Sequence, residues 1–251
     1  MITIKNDKEI EKMKAAGRLV GECHNLLRDM IKPGITTMEL NDVAEKYFRD
    51  HGAYPTFLGY GGFPYSICAS VNEEVVHGFP SDRVLKEGDI ISIDLGATLD
   101  GYVGDAARTW GVGKISDEAQ KLIDVTRDSF FKGIEQAHVG NRLSDIGHAV
   151  QEVAEAAGFS VVRDYVGHGI GREMHEDPPI PNYGKPGHGP RLLKNMTLAV
   201  EPMVDVGTYE VHTLDNDWTV VTNDGKLAAH YENTIWITGE GAPEILTLVE
   251  D

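Results

Sequence analysis

From Asp7 to about Met30, apolar residues recur near every three to four positions: Ile10, Met13, Ala16, Leu19 and Val20, with Leu26 and Leu27 extending the stripe. That period predicts an amphipathic helix. Pro33-Gly34 stops it, because proline cannot continue a helix and glycine tolerates the turn that follows. Thr36-Thr37-Met38-Glu39 has the spacing of a capping box, and Leu40, Val43, Ala44 and Phe48 give the next helix its apolar face. His51-Gly52 ends it. The same pattern returns later. Ser116 begins a polar start, Leu122 to Ala137 reads as helix, and Gly140 follows. Ile146, Val150, Val153 and Ala154 line a further helix ending at Gly158. Gly34 and Gly140 are separated by the same interval as Gly52 and Gly158, and as Leu40 and Ile146. Two similar halves, each a helix pair feeding a sheet, would show this offset; so would two ordinary helical hairpins that happen to align.

Strand patterns follow each helix pair: Ile90 to Leu95, Tyr102 to Val112, Met196 to Val204 and Tyr231 to Thr238 are rich in β-branched and aromatic residues. Helices followed by strands in this order predict an α+β fold with mostly antiparallel sheets. The Gly/Pro-rich stretch from Pro178 to Pro190 reads as a loop. No Pro/Ser-rich linker divides the chain, so 1–251 is expected to be a single domain, with pseudo-repeats of about 1–112 and 113–251.

Asp100-Gly101 is a two-residue hairpin turn signal. If Leu99 pairs with Tyr102, Asp105 falls opposite Gly96 and Asp94 opposite Ala107. Directly paired residues share a face, so Asp94 and Asp105 become diagonal neighbours on one side of the ribbon. A one-residue slip would send them to opposite sides. Two close carboxylates in a semi-buried site do not both ionise without compensation, which a proton or a cation can supply. A solvent-facing hairpin with two unrelated acids is the plainer alternative, weakened by the apolar run Ile90, Ile91, Ile93 and Leu95.

Composition narrows the setting. Lys and Arg number 23 against 40 Asp and Glu, a net charge of −17. This argues against a broad nucleic-acid or anionic-membrane surface, which needs clustered cations. Two cysteines, Cys23 and Cys68, give no disulfide framework and suit a reducing compartment. The N-terminus shows no signal-peptide pattern, and no stretch approaches the ~20 apolar residues of a membrane span. The expected location is the cytoplasm.

Further candidate chemistry lies in Gly167-His168-Gly169-Ile170-Gly171-Arg172-Glu173-Met174-His175. Its glycines let the backbone curl and a ligand approach. Neither a dinucleotide-binding glycine pattern nor the helical H-E-x-x-H zinc motif is present. Glu201 and Glu232 each sit in an apolar or β-prone run, where acids are rarely left unpaired, although a strand-edge salt bridge could explain either alone. Asp94, Asp105, His168, Glu201 and Glu232 together make four carboxylates and one imidazole. Four negative charges balance two divalent cations, and an oxygen-rich set with one nitrogen suits Mn²⁺, Fe²⁺, Co²⁺ or Zn²⁺. Two such ions ~4 Å apart can share a water, lower its pKa and clamp a carbonyl.

At these residues the chain resembles the type I methionine aminopeptidases of the pita-bread metallopeptidase family. The resemblance rests on Tyr165 to Gly171, His175, Asn182-Tyr183, the four acids, and Val71 to Gly78, and it covers nearly the whole chain. It implies two pseudo-symmetric halves with antiparallel sheets flanked by helices. It implies that Asp94 chelates one ion, that Asp105 and Glu232 bridge both, and that His168 and Glu201 complete the second. Glu201 would be general base on a metal-bridged water, His175 would stabilise the oxyanion, and His77 would contact the peptide nitrogen. Tyr60, Phe63, Cys68, Met174 and Trp218 match the family's side-chain pocket, with Phe57 beside them; plain core packing is the alternative for each.

The activity implied is hydrolytic removal of the initiator methionine from nascent polypeptides with a small second residue. An X-Pro peptidase of the same fold and a non-enzymatic binding module are the competing readings. The family leads to an expected monomer. The chain begins almost directly at the first helix, without the N-terminal extension of some relatives, which leaves recruitment to the ribosome open. Lys5, Lys8, Lys12, Lys14 and Arg18 cluster nearby, but a solvated helix face explains them equally well.

Overall fold

The second helix is capped as the sequence implies, and the first carries a cap of the same kind. In the computed structural model, which describes residues 1–249, α1 (Asp7–Met30) opens on Asn6, whose side chain accepts from the amides of Lys8 and Glu9. α2 (Thr37–Asp50) opens on the Thr36–Glu39 capping box. Each cap satisfies amides that the first helical turn leaves without partners. Short strands β1 (Tyr54–Pro55), β2 (Ile67–Val71) and β3 (Glu74–Val76) follow, then the long β4 (Ile90–Leu99) and β5 (Tyr102–Gly111). α3 (Asp117–Ile134) and α4 (Leu143–Ala156) form the second helix pair. The remaining strands are β6 (Ser160–Val161), β7 (Gly167–Gly169), β8 (Glu176–Ile180), β9 (Thr197–Val200), β10 (Met203–Asp205), β11 (Val211–Thr213), β12 (Val220–Thr222), β13 (Ala228–His230), β14 (Glu232–Trp236) and β15 (Glu244–Ile245).

The spine is a sheet in the order β1-β4-β5-β14-β9-β7-β8, with β2 also on β4 and β15 also on β14. Its recorded pairings are antiparallel. Two three-stranded sheets, β13-β10-β6 and β11-β12-β3, complete the structure. α1 and α2 bury Val20, Leu27, Leu40 and Phe48 against Ile67, Ile91, Ile93 and Leu95 of the spine. α3 and α4 bury Phe130 and Ile146 in a second core with Leu198, Val200 and Ile235. No helix among the described residues is long and apolar enough to cross a membrane.

Three expectations need correction. The strand expected from Met196 to Val204 is split into β9 and β10 at Glu201-Pro202, since proline has no amide to give the ladder. The loop expected from Pro178 begins as strand: Pro178 to Ile180 lie in β8, the sheet's last strand, where an edge position tolerates proline. Lys5 is not on a solvated face. It is 5% exposed, and its ammonium pairs with Glu176 at 2.6 Å.

Candidate active site

The hairpin places the first two acids. Leu99 pairs with Tyr102, Asp105 with Gly96 and Asp94 with Ala107, as the Asp-Gly turn implies. Asp100 and Gly101 both have positive φ (49° and 79°), the left-handed pair that a tight hairpin turn requires. Ala107 pairs on its other side with Glu232, and Asp94 on its other side with Cys68. A single row, Cys68–Asp94–Ala107–Glu232, therefore crosses four strands on one face of the sheet, with Asp105 two residues along. On the next strand Asn233 pairs with Val200, so extending that register by one residue sets Glu201 across from Glu232. His168 pairs with Ala199, two residues before Glu201, and so joins the same face. Five residues spread over more than a hundred positions are thus gathered by strand register alone.

Asp105 and Glu232 are 3% and 1% exposed. Asp94 is half-buried, and Glu201 keeps 14% of its side chain exposed, toward the cavity it lines. Burial pushes all four carboxyls up. Asp94, Glu201 and Glu232 rise well above the carboxylate range, with the charges of neighbouring acids adding to burial. Asp105 is pushed up to about 7. Among the described residues, the ion-pair contacts of these acids all run to histidine. His168 donates from Nδ1 to the carbonyl of Gly169 at 2.9 Å, because a carbonyl can only accept. Its Nε2 therefore faces Glu201 Oε1 at 3.3 Å and Asp105 Oδ2 at 3.7 Å with a lone pair. Burial holds this ring neutral, at about 4. Asp94 Oδ1, Asp105 Oδ1 and Glu232 Oε1 are buried without a hydrogen-bond partner. Lone pairs facing lone pairs in a desolvated site are costly unless a cation lies between them. The donor atoms of Asp105, His168 and Glu232 lie within 4.8 Å of one another, as do those of Asp94, His230 and Glu232.

The sequence did not single out His230. Its signal was its place two residues before Glu232, the spacing that returns a strand side chain to the same face.

The cavity is lined by Asp94, Asp105, His168, Glu201 and Glu232, and by His77, His175, Tyr60, Phe63, Cys68, Met174, Trp218 and Phe57. Every residue expected to bind metal, catalyse or line the side-chain pocket is therefore brought to one place. Val76, Tyr165, Val166 and Met203 line it too, without having been singled out as lining residues. Tyr60 Oη sits 2.8 Å from His175 Nδ1, and the His168 and His175 rings are 4.2 Å apart. His77 holds a positive φ of 59°, and burial depresses its ring to about 4. Phe63 meets Trp218 edge-on at 5.1 Å and Phe79 at 5.5 Å. The Cys68 thiol is raised well above its ordinary value by burial first and Asp94 next, so it stays protonated and apolar in character.

The sequence pattern of metallopeptidase family M24 matches residues 11–239. The chain is 64% identical over 251 residues to the methionine aminopeptidase of Clostridium acetobutylicum, covering all of both. It is 55% identical over 249 residues to methionine aminopeptidase 1 of Bacillus subtilis, covering 99% of this chain and 100% of that one. Its fold is similar to the crystal structure of methionine aminopeptidase from Thermotoga maritima: TM-score 0.97, 49% identity, 99% of this chain and 100% of that one.

Proposed function

This chain belongs to metallopeptidase family M24, among the type I methionine aminopeptidases with their α+β pita-bread fold, and on that footing we propose a two-metal mechanism for it. The substrate class we assign is nascent chains in the cytoplasm that begin with methionine followed by a small residue. The observation that carries the mechanism is the pair of donor triads sharing Glu232, which lines the cavity together with Asp94, Asp105 and His168. Orphaned carboxylate oxygens and a lone-pair-bearing imidazole suit divalent ions. Asp94, Asp105, His168, Glu201 and Glu232 would hold two such ions, of the Mn²⁺, Fe²⁺, Co²⁺ or Zn²⁺ type. When bound, they supply Lewis acidity toward the scissile carbonyl and lower the pKa of water.

The chain's own residues do the rest. Glu201 lines the cavity and accepts the proton of the attacking water, then delivers it to the leaving amine. With the Tyr60 hydroxyl donating to His175 Nδ1, the His175 proton sits on Nε2 and is free to donate to the oxyanion. His77, on the same cavity wall, contacts the peptide nitrogen. Phe63, Cys68, Met174, Trp218 and Tyr60 receive the methionine side chain; sulfur against aromatic edges is favourable. The spine sheet draws strands from both sides of residue 112, which supports one catalytic unit over 1–251, its last two residues lying outside the described ones.

The test is cleavage of Met-Ala-Ser before and after dialysis against chelator, with metal add-back. Activity should vanish and return, and Met-Leu-Ser and an X-Pro peptide should be cleaved far more slowly. Activity indifferent to chelation would end the metallopeptidase mechanism, and faster X-Pro cleavage would replace the substrate.

A further inference from the structure

His230 is the histidine that the five-residue set leaves over. It ends β13, 1% exposed, with its amide donating to Thr109 Oγ1 at 2.9 Å and its carbonyl accepting from the same hydroxyl at 2.8 Å. The backbone is thereby pinned, and the ring projects among the acids. Its Nε2 lies 3.7 Å from Glu232 Oε2 and 3.8 Å from Glu201 Oε2, and it is buried without a hydrogen-bond partner. These separations are too long for hydrogen bonds. The one to Glu232, with which His230 shares a donor triad, is right for two donors on one ion: ligand distances of about 2.0–2.2 Å place neighbouring donor atoms roughly 3–4 Å apart.

His168 stands in the same relation on the other side. Its Nε2 is 3.3 Å from Glu201 and 3.7 Å from Asp105, so each of the two Glu201 oxygens faces one imidazole. The two donor triads repeat the arrangement: an aspartate and a histidine on each side, with Glu232 common to both.

We propose that His230 is a sixth metal-ligating residue, giving the ion on the Asp94 side the imidazole that His168 gives the other. This assignment rests on the two-metal reading above. It makes the centre richer in nitrogen, which favours Co²⁺, Fe²⁺ and Zn²⁺ over the oxygen-preferring Mn²⁺.

X-ray absorption on the protein loaded with two Co²⁺ per chain counts imidazoles directly and needs no variant. One imidazole per ion on average is expected, falling to one per two ions in His230→Gln. Calorimetric titration of His230→Gln should show one of the two Co²⁺ sites weakened by more than about 100-fold, beyond the usual loss when only a supporting contact is removed. Wild-type protein with two ions and half an imidazole each, unchanged in His230→Gln, overturns the assignment while leaving the two-metal reading intact. Weaker binding in His230→Gln with an unchanged imidazole count also overturns it, because the residue would then act only through its neighbours. Wild-type protein that takes up fewer than two ions removes both.

Discussion

Two antiparallel ladders meet at the face that carries the acids and histidines, and they are built differently. β4 and β5 run straight through ten consecutive pairs, from Ile90–Gly111 to Leu99–Tyr102, without a slip. The other ladder keeps one register, Val200 to Asn233 before the break and Met203 to His230 after it, yet it opens between. There Pro202 has no amide to give, and Tyr231 donates to the Pro202 carbonyl at 3.1 Å as the chain passes from the spine into a smaller sheet. The straight ladder holds Asp94 and Asp105 at a fixed diagonal. The bent one gathers Glu201, His230 and Glu232 at the point where regular pairing fails. Regular pairing sets positions, and its interruption frees side chains to converge on a cavity.

The largest effect should follow a change at the bend. Glu201→Gln keeps the shape and removes the proposed base. Turnover of Met-Ala-Ser should fall by roughly 10²–10⁴-fold, the usual contribution of a positioned proton acceptor, with the circular dichroism spectrum unchanged. Near-wild-type turnover would take Glu201 out of that role and leave the bend a purely structural device.

A change on the straight ladder should cost stability first. Gly104 lies on β5 beneath α1, and a Cβ there would meet Gly17 Cα and N at 2.8 Å. Gly17 is itself closely packed: a Cβ on it would stand 2.5 Å from the Leu246 carbonyl oxygen. Gly104→Ala should therefore destabilise by about 1–3 kcal/mol through overpacking, read as a lower urea midpoint. An unchanged midpoint would show that α1 can shift, and that the straight ladder is less tightly clamped than its contacts imply.

The same contrast explains what the sequence made legible. Asp100-Gly101 announced its turn, and the turn dictated every pair up to Asp94, so local chemistry reached the first two acids. The Thr36–Glu39 cap was equally local. The bend was hidden because the run from Met196 to Val204 reads as one strand; Pro202 within it was the clue. His230 went unnoticed because the strand pattern starts at Tyr231, one residue too late to include the histidine. The contact between Tyr60 and His175 joins residues 115 positions apart, and no spacing rule reaches that far. Those residues, with His77 and the side-chain pocket, were visible only through family resemblance.

The smallest effect compares two buried histidines. His230 stands at the bend with its Nε2 unpartnered, whereas His24 of α1 is tied to the straight ladder. The His24 Nε2 donates to the Ala106 carbonyl at 2.8 Å, and the ring is 2% exposed. Burial, helped by the Arg108 charge, pushes its pKa down to about 3. In the unfolded chain the same ring titrates near its ordinary value of about 6.5. Between those values the unfolded state binds the extra proton, so this group's stabilisation is present above pH 6.5 and is lost as pH falls toward 3. The slope is at most about 1.4 kcal/mol per pH unit for one proton. His24→Gln removes the titration and keeps a donor for the carbonyl. Its unfolding free energy should therefore drop by about 1 kcal/mol less than wild type between pH 6 and pH 5. Equal drops would mean that His24 is protonated in the folded protein, so that α1 meets β5 through a charged group.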